Sequence, residues 1–232
     1  FWMWVASLLG MATKFSEICL AMHYRIQDEA GNFRGGVMYI LSRGMKNKTL
    51  GKILGGAFAV FTVMVSFISC GALQANTIAN SLNGETGIGI PLWVVAIVVL
   101  VLDGLVVCGG LKKIANVTTV LTPVMALIYI GFSLIIIILH ANMIPTAIYY
   151  VVKSAFTGDA AVGGVAGATM AFAIQKGVSR GVFSNEAGIG SSAIVHATAI
   201  VDKPTRQSLY GIIEVFFDTM MICTVTSLLI LT

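Results

Sequence analysis

Hydrophobic residues along this chain gather into blocks near the ~20 residues that a helix needs to cross a bilayer core, with short polar stretches between them. Six spans can be drawn: one up to Met22, then Lys52–Leu82, Pro91–Gly110, Ile114–His140, a fifth ending near Ala199, and a sixth from Gln207 onward. Membrane β-strands alternate apolar and polar positions over about ten residues, so these long runs predict an all-α, multi-span helical bundle instead. Ile144–Phe156, opened by Pro145, is too short to cross and reads as an amphipathic surface helix. Gly35-Gly36 ahead of Val37–Ile40 predicts an interfacial helix after a glycine turn, with a plain connecting loop as the alternative. The small residues 157–171 predict no particular element.

The fifth block is interrupted. Between apolar residues 172–183 and 188–199 lies a polar, glycine-rich run that includes Ser184, Asn185, Glu186, Gly188 and Gly190. Backbone at membrane depth must pair internally unless it lines an enclosed cavity, and a broken span with polar residues marks a transporter's binding site. Each half spans ~18 Å at ~1.5 Å per residue, which puts a break near 184–190 at the midplane. Gly188 and Gly190 permit left-handed backbone. The second half-helix, opening at Ser191 and Ser192, would favour an anion such as an amino-acid carboxylate. Carbonyls ending the first half, near Phe183, would suit an ammonium or a sodium ion.

Other polar groups sit inside the blocks. In the second span, Ser66, Ser69, Cys70, Gln74, Asn76, Thr77 and Asn80 fall within an arc of about 160° on a helix, with small residues opposite. Gln74 and Asn76 are candidate ligand contacts, whereas Asn80 is expected to join helices. Glu186 needs a partner at that depth, and Lys176 and Arg180 are candidates; Glu186 and Arg180 read as gating or structural groups. Glu214 and Asp218, at i and i+4, are candidates for cation coupling, with structural support as the alternative. Asp103 is close enough to the span end to reach water. Lys14 and Glu17, at i and i+3, suggest a local ion pair.

Composition agrees: 57% of the residues are hydrophobic and 10% charged, against roughly a quarter charged in a soluble domain. Charge then orients the spans. Ten Lys/Arg (Arg25, Arg34, Arg43, Lys46, Lys48, Lys52, Lys112, Lys113, Lys203, Arg206) fall on one side, and only Lys153 on the other. Loop 23–52 is therefore expected in the cytoplasm of a multi-pass cell-membrane protein. Cys19, Cys70, Cys108 and Cys223 are isolated, as are His23, His140 and His196, so neither a metal site nor a disulfide framework is expected. No basic stripe with interleaved aromatics points to nucleic acid. No hydrolase, metalloprotease or nucleotide-loop motif occurs, so an enzyme is not expected. The chain opens and closes within apolar runs and lacks an initiator Met, which suggests an internal piece of a larger protein.

Several strings together resemble one family. Phe1-Trp2-Met3-Trp4, Leu9-Gly10-Met11-Ala12-Thr13-Lys14-Phe15, Gly35-Gly36-x-Met38-Tyr39, Gln74-Ala75-Asn76 and Arg180-Gly181-Val182-Phe183-Ser184-Asn185-Glu186-Ala187-Gly188-Ile189-Gly190-Ser191 are similar to the bacterial and archaeal alanine or glycine:cation symporters. The last string is highly specific, and the resemblance covers essentially all 232 residues. Val37 stands where the family usually has Pro. The resemblance implies a leucine-transporter-type fold, with inverted repeats holding substrate between broken helices. It also implies that the chain is a single partial transporter domain, residues 1–232, lacking the family's first helix and C-terminal helices. It implies an amino-acid pocket using Gln74, Phe183, Ser184, Asn185 and Gly188, with most sodium contacts on absent helices. The function so implied is sodium-coupled import of alanine or glycine by alternating access, with no cofactor besides the coupling ion. Proton coupling through Asp218 or Glu214 is the alternative, and an ion channel or structural membrane subunit is a third.

Overall fold

The computed structural model describes residues 1–66, 71–83, 89–156 and 170–232. Ser69, Cys70, Gly84, Glu85, Asp159 and most of the small-residue run 157–171 lie outside these residues. The chain is mostly helical. Helix α1 (Trp2–Tyr24) leads into a two-stranded antiparallel ribbon, β1 (Ile26–Gln27) and β2 (Phe33–Arg34), then α2 (Val37–Gly44) and α3 (Lys48–Val65). Helices α4 (Gly71–Asn83), α5 (Leu92–Val107), α6 (Gly110–Leu139) and α7 (Ile144–Phe156) follow. Then come α8 (Met170–Asn185), the six-residue α9 (Ser191–His196) and α10 (Pro204–Val215), which runs through a π-helical stretch over Phe216–Ile222 into α11 (Cys223–Leu231).

Four described helical stretches are long and apolar enough to cross a membrane: Trp2–Tyr24, Lys48–Val65, Lys113–Leu139 and Pro204–Leu231. Two expected spans differ from the structure. The second is two helices, α3 and α4, on either side of residues 67–70. The third is α5, whose 16 residues fall short of a full crossing. The fifth is interrupted as expected, dividing into α8 and α9. The surface helix expected at 144–156 is α7 with those bounds, and the helix after Gly36 is α2. The ribbon inside loop 23–52 is a feature that the hydrophobic pattern did not signal.

Two compact units emerge, one of residues 1–58 with 130–232 and the other of residues 59–129. In the first, α1 buries Ser7, Gly10, Lys14, Ile18 and Ala21. This spacing of three and four places one stripe against α8, α9 and α10. Close approach depends on small residues: a Cβ on Gly211 would lie 2.4 Å from Ile18, and one on Gly177 would lie 2.6 Å from Trp2. A small alanine core of Ala21, Ala193 and Ala197, with Val37 and Ile40 against it, joins α1, α2 and α9. In the second unit α4 packs on α5, and Val95 is the one buried residue among those described. Its apolar side chains, such as Leu100 and Val120, face outward.

Candidate functional site

The interruption is real and lies at 186–190. Helix α8 ends at Asn185, and the chain then passes through positive φ at Glu186 (54°), Gly188 (86°) and Gly190 (95°) before α9 starts. Two of these positions are glycines, which enter this region freely; Glu186 does so at a cost. At Gly190 a Cβ would also meet the ring of Phe58 at 2.5 Å. The second half-helix is shorter than the sequence suggests, at six residues or ~9 Å. Arg25 ends it, donating from Nη1 to the carbonyls of Ala197 (3.2 Å) and Ala199 (2.6 Å). A cation suits the negative end of a helix. Gly35 and Gly36 let the loop backbone close on the same short helix, because added Cβ atoms would strike Ala197 and Ile194.

Groups from distant parts of the chain serve the break. The Gly188 N–H donates to Glu17 Oε2 at 3.0 Å, and the Ser191 hydroxyl donates to the Glu186 carboxylate. Two of the donors beside the expected anion site are thus taken by carboxylates of the chain itself. Lys14 and Glu17 do not form the expected local pair. Lys14 Nζ instead donates to the Asn185 carbonyl (2.7 Å) and to Glu214 Oε1 (3.1 Å). Glu186 likewise meets Ser191, while Lys176 lies over the ring of Phe172, and Arg180 is exposed. Asn185 is buried, with Oδ1 accepting from the Ala187 N–H at 3.0 Å. Among the described residues, Asn185 Nδ2 and Glu17 Oε1 are the buried side-chain atoms without a partner, and both flank the break. Buried polar atoms are nearly always paired, so this pairing deficit singles the break out.

The sixth span supplies the second half of the site. Glu214 and Asp218 turn to different partners rather than acting as one face. Glu214 meets Lys14 and, at 3.2 Å, His196 Nε2. Gln207 Nε2 donates to His196 Nδ1 at 2.8 Å, which leaves the ring proton on Nε2, facing Glu214. Asp218 Oδ2 accepts from Ser184 Oγ at 2.5 Å and from Thr219 Oγ1 at 3.1 Å. It sits in the π-helical stretch, a geometry frequent at functional sites. An open groove of about 570 Å³ runs beside the break, with Thr13, Ser16, Glu17, Phe58 and Gly188 among its walls.

The structure thus brings Ser184 to Asp218, and Gly188 and Glu186 into one polar turn with Glu17. Phe183 is exposed on α8. Gln74 and Asn76 are exposed on α4, in the other unit. Sequence reasoning missed Glu17, Arg25, His196 and Gln207. The available signal was that a charge deep in an apolar block must have a long-range partner. All 232 residues match the model of the sodium:alanine symporter family. The chain belongs to that family. A sodium:alanine symporter family member is a multi-pass transporter and not an enzyme. The sodium/alanine symporter AgcS of Methanococcus maripaludis is 40% identical over 230 residues, which are 99% of this chain and 49% of AgcS. An uncharacterized transporter of Haemophilus influenzae is 43% identical over 99% of this chain and 49% of its own length. The probable sodium/glutamine symporter GlnT of Bacillus subtilis is 36% identical over 100% of this chain and 46% of its own length. The chain spans about half the length of these family relatives.

Proposed function

We propose that the whole protein imports alanine or glycine with sodium by alternating access, and that the break at 186–190 is the bed for the amino acid. The break carries this reading: non-helical backbone in an apolar bundle, ringed by Glu17, Glu186, Ser184 and Asp218. With two carboxylates already on its donors, the turn is negative, and it suits the ammonium end of a zwitterion. Glu186, with Arg180 on α8, serves gating or support. Phe183, Ser184, Asn185 and Gly188, all in the unit that holds the break, contribute the pocket in this proposal, with Phe183 limiting side-chain size. Loop 23–52 faces the cytoplasm on the strength of the Lys/Arg asymmetry, and the architecture is of the leucine-transporter type. The names of the relatives include both alanine and glutamine; the small residues around the break favour the former.

The test is radiolabelled alanine uptake by the full-length protein in vesicles, with and without an inward sodium gradient at fixed pH. Saturable uptake that requires the gradient is expected; uptake that survives sodium removal would replace the proposal with the second reading. That reading is proton coupling through Asp218, a carboxylate inside the apolar stretch Pro204–Leu231. Intramembrane carboxylates mark ion or proton routes by default.

A further inference from the structure

Lys14 is an ammonium with 1% of its surface exposed, set in the middle of an apolar helix. An unpaired charge there is prohibitively costly, so its surroundings must demand it. Two acceptors from two different helices do so. One is the carbonyl of Asn185, the last residue of α8, at the negative end of that helix's dipole. The other is Glu214 Oε1 on α10. The second oxygen of Glu214, whose side chain is half-exposed, meets His196, itself bonded to Gln207, so both oxygens of that carboxylate have partners. Gly211 clears the path for the lysine stem, since a Cβ there would lie 3.1 Å from Lys14 Cγ.

We infer that Lys14 is a tethered cation: its ammonium permanently fills a monovalent-cation site built from the Asn185 carbonyl and Glu214, and the emptied site takes a free alkylammonium ion. Glu214 is thereby neutralised within the chain, which removes it as a candidate coupling carboxylate. This assignment does not depend on which amino acid or ion the protein carries. Lys14 acts as a positioning residue, fixing the end of α8 where the break begins.

The test uses the full-length protein in detergent, following its thermal melting by tryptophan fluorescence. Lys14→Ala removes a fragment the size of n-propylammonium. The variant is expected to melt several degrees below wild type, and n-propylammonium should restore at least half of that shift. The neutral isostere 1-propanol should restore none of it. In Lys14→Ala with Glu214→Gln, the amine should have no effect, because the charge it answers is gone. Wild-type melting of Lys14→Ala, or equal rescue by propanol, would overturn the inference in favour of simple packing. If Lys14→Ala does not accumulate folded, Lys14→Met is compared with Lys14→Met plus Glu214→Gln. The double variant should accumulate several-fold better in the membrane, and equal accumulation would likewise overturn the inference.

Discussion

Residues 92–139 and 170–199 are both apolar segments with hydroxyls and glycines inside them, yet their polar groups behave in opposite ways. In α6, Thr118 and Thr119 donate to the carbonyls of Ile114 and Ala115, four residues earlier. Such back-bonding satisfies a hydroxyl without involving another helix. Even Pro123 leaves α6 a single element. At the break, the bonds go elsewhere: Lys14 to Asn185 and Glu17 to Gly188 each link residues 171 positions apart. Polarity within an apolar run therefore does not define a site. The destination of the bonds does.

That contrast can be broken most severely at Gly190. Gly190→Val combines a left-handed backbone with a clash against Phe58 and Val37, costing about 3 kcal/mol or more. Loss of folded protein on size exclusion is the expected result; a normal yield would mean that the turn is not so constrained. Asn185→Ala strips the side chain that caps Ala187 and borders the proposed pocket. It should weaken alanine binding by calorimetry about tenfold, the loss of one good hydrogen bond, with membrane insertion intact. Arg25→Ala uncaps α9, an expected loss of about 1–2 kcal/mol, read as a lower melting temperature that excess salt does not reproduce.

The other side of the contrast predicts tolerance. Gly104 in α5 has nothing within reach of an added Cβ, so Gly104→Ala should be neutral or stabilising by up to about 1 kcal/mol. The smallest effect belongs to the ribbon. The Asn32 amide, and then Arg34, hold the Asp28 carboxyl below its ordinary value. A lowered folded-state value stabilises the turn above the carboxyl's ordinary pKa, and that contribution vanishes as pH falls through the lowered value. Protection of the Asn32 amide from hydrogen exchange, corrected for its intrinsic rate, should decline on acidification and be weaker in Asp28→Asn.

These differences follow what each part of the chain reveals locally. The break was legible because Gly188 and Gly190 signal backbone that a helix does not use, and α7 because Pro145 opens it. The end of α9 was not legible, since the apolar run continues to Ile200 and Val201, and what stops the helix is Arg25 from a remote loop. The ribbon escaped notice because two-residue strands carry no alternation, and Asp28, Asn32 and Arg34 hold its turn. Spacing pairs Lys14 with the nearest carboxylate in sequence, Glu17, whereas α1 turns it inward to α10 and Glu17 reaches the break. Spacing predicts which residues share a helix face; the packing of other helices decides which partner wins.

The most direct measurement is an experimental structure of the full-length protein with alanine and sodium bound. The account predicts ligand within hydrogen-bonding distance of residues 184–188, non-helical backbone across 186–190 and that turn inside the hydrocarbon layer. Ligand seated elsewhere, or a continuous helix from α8 into α9, would contradict it.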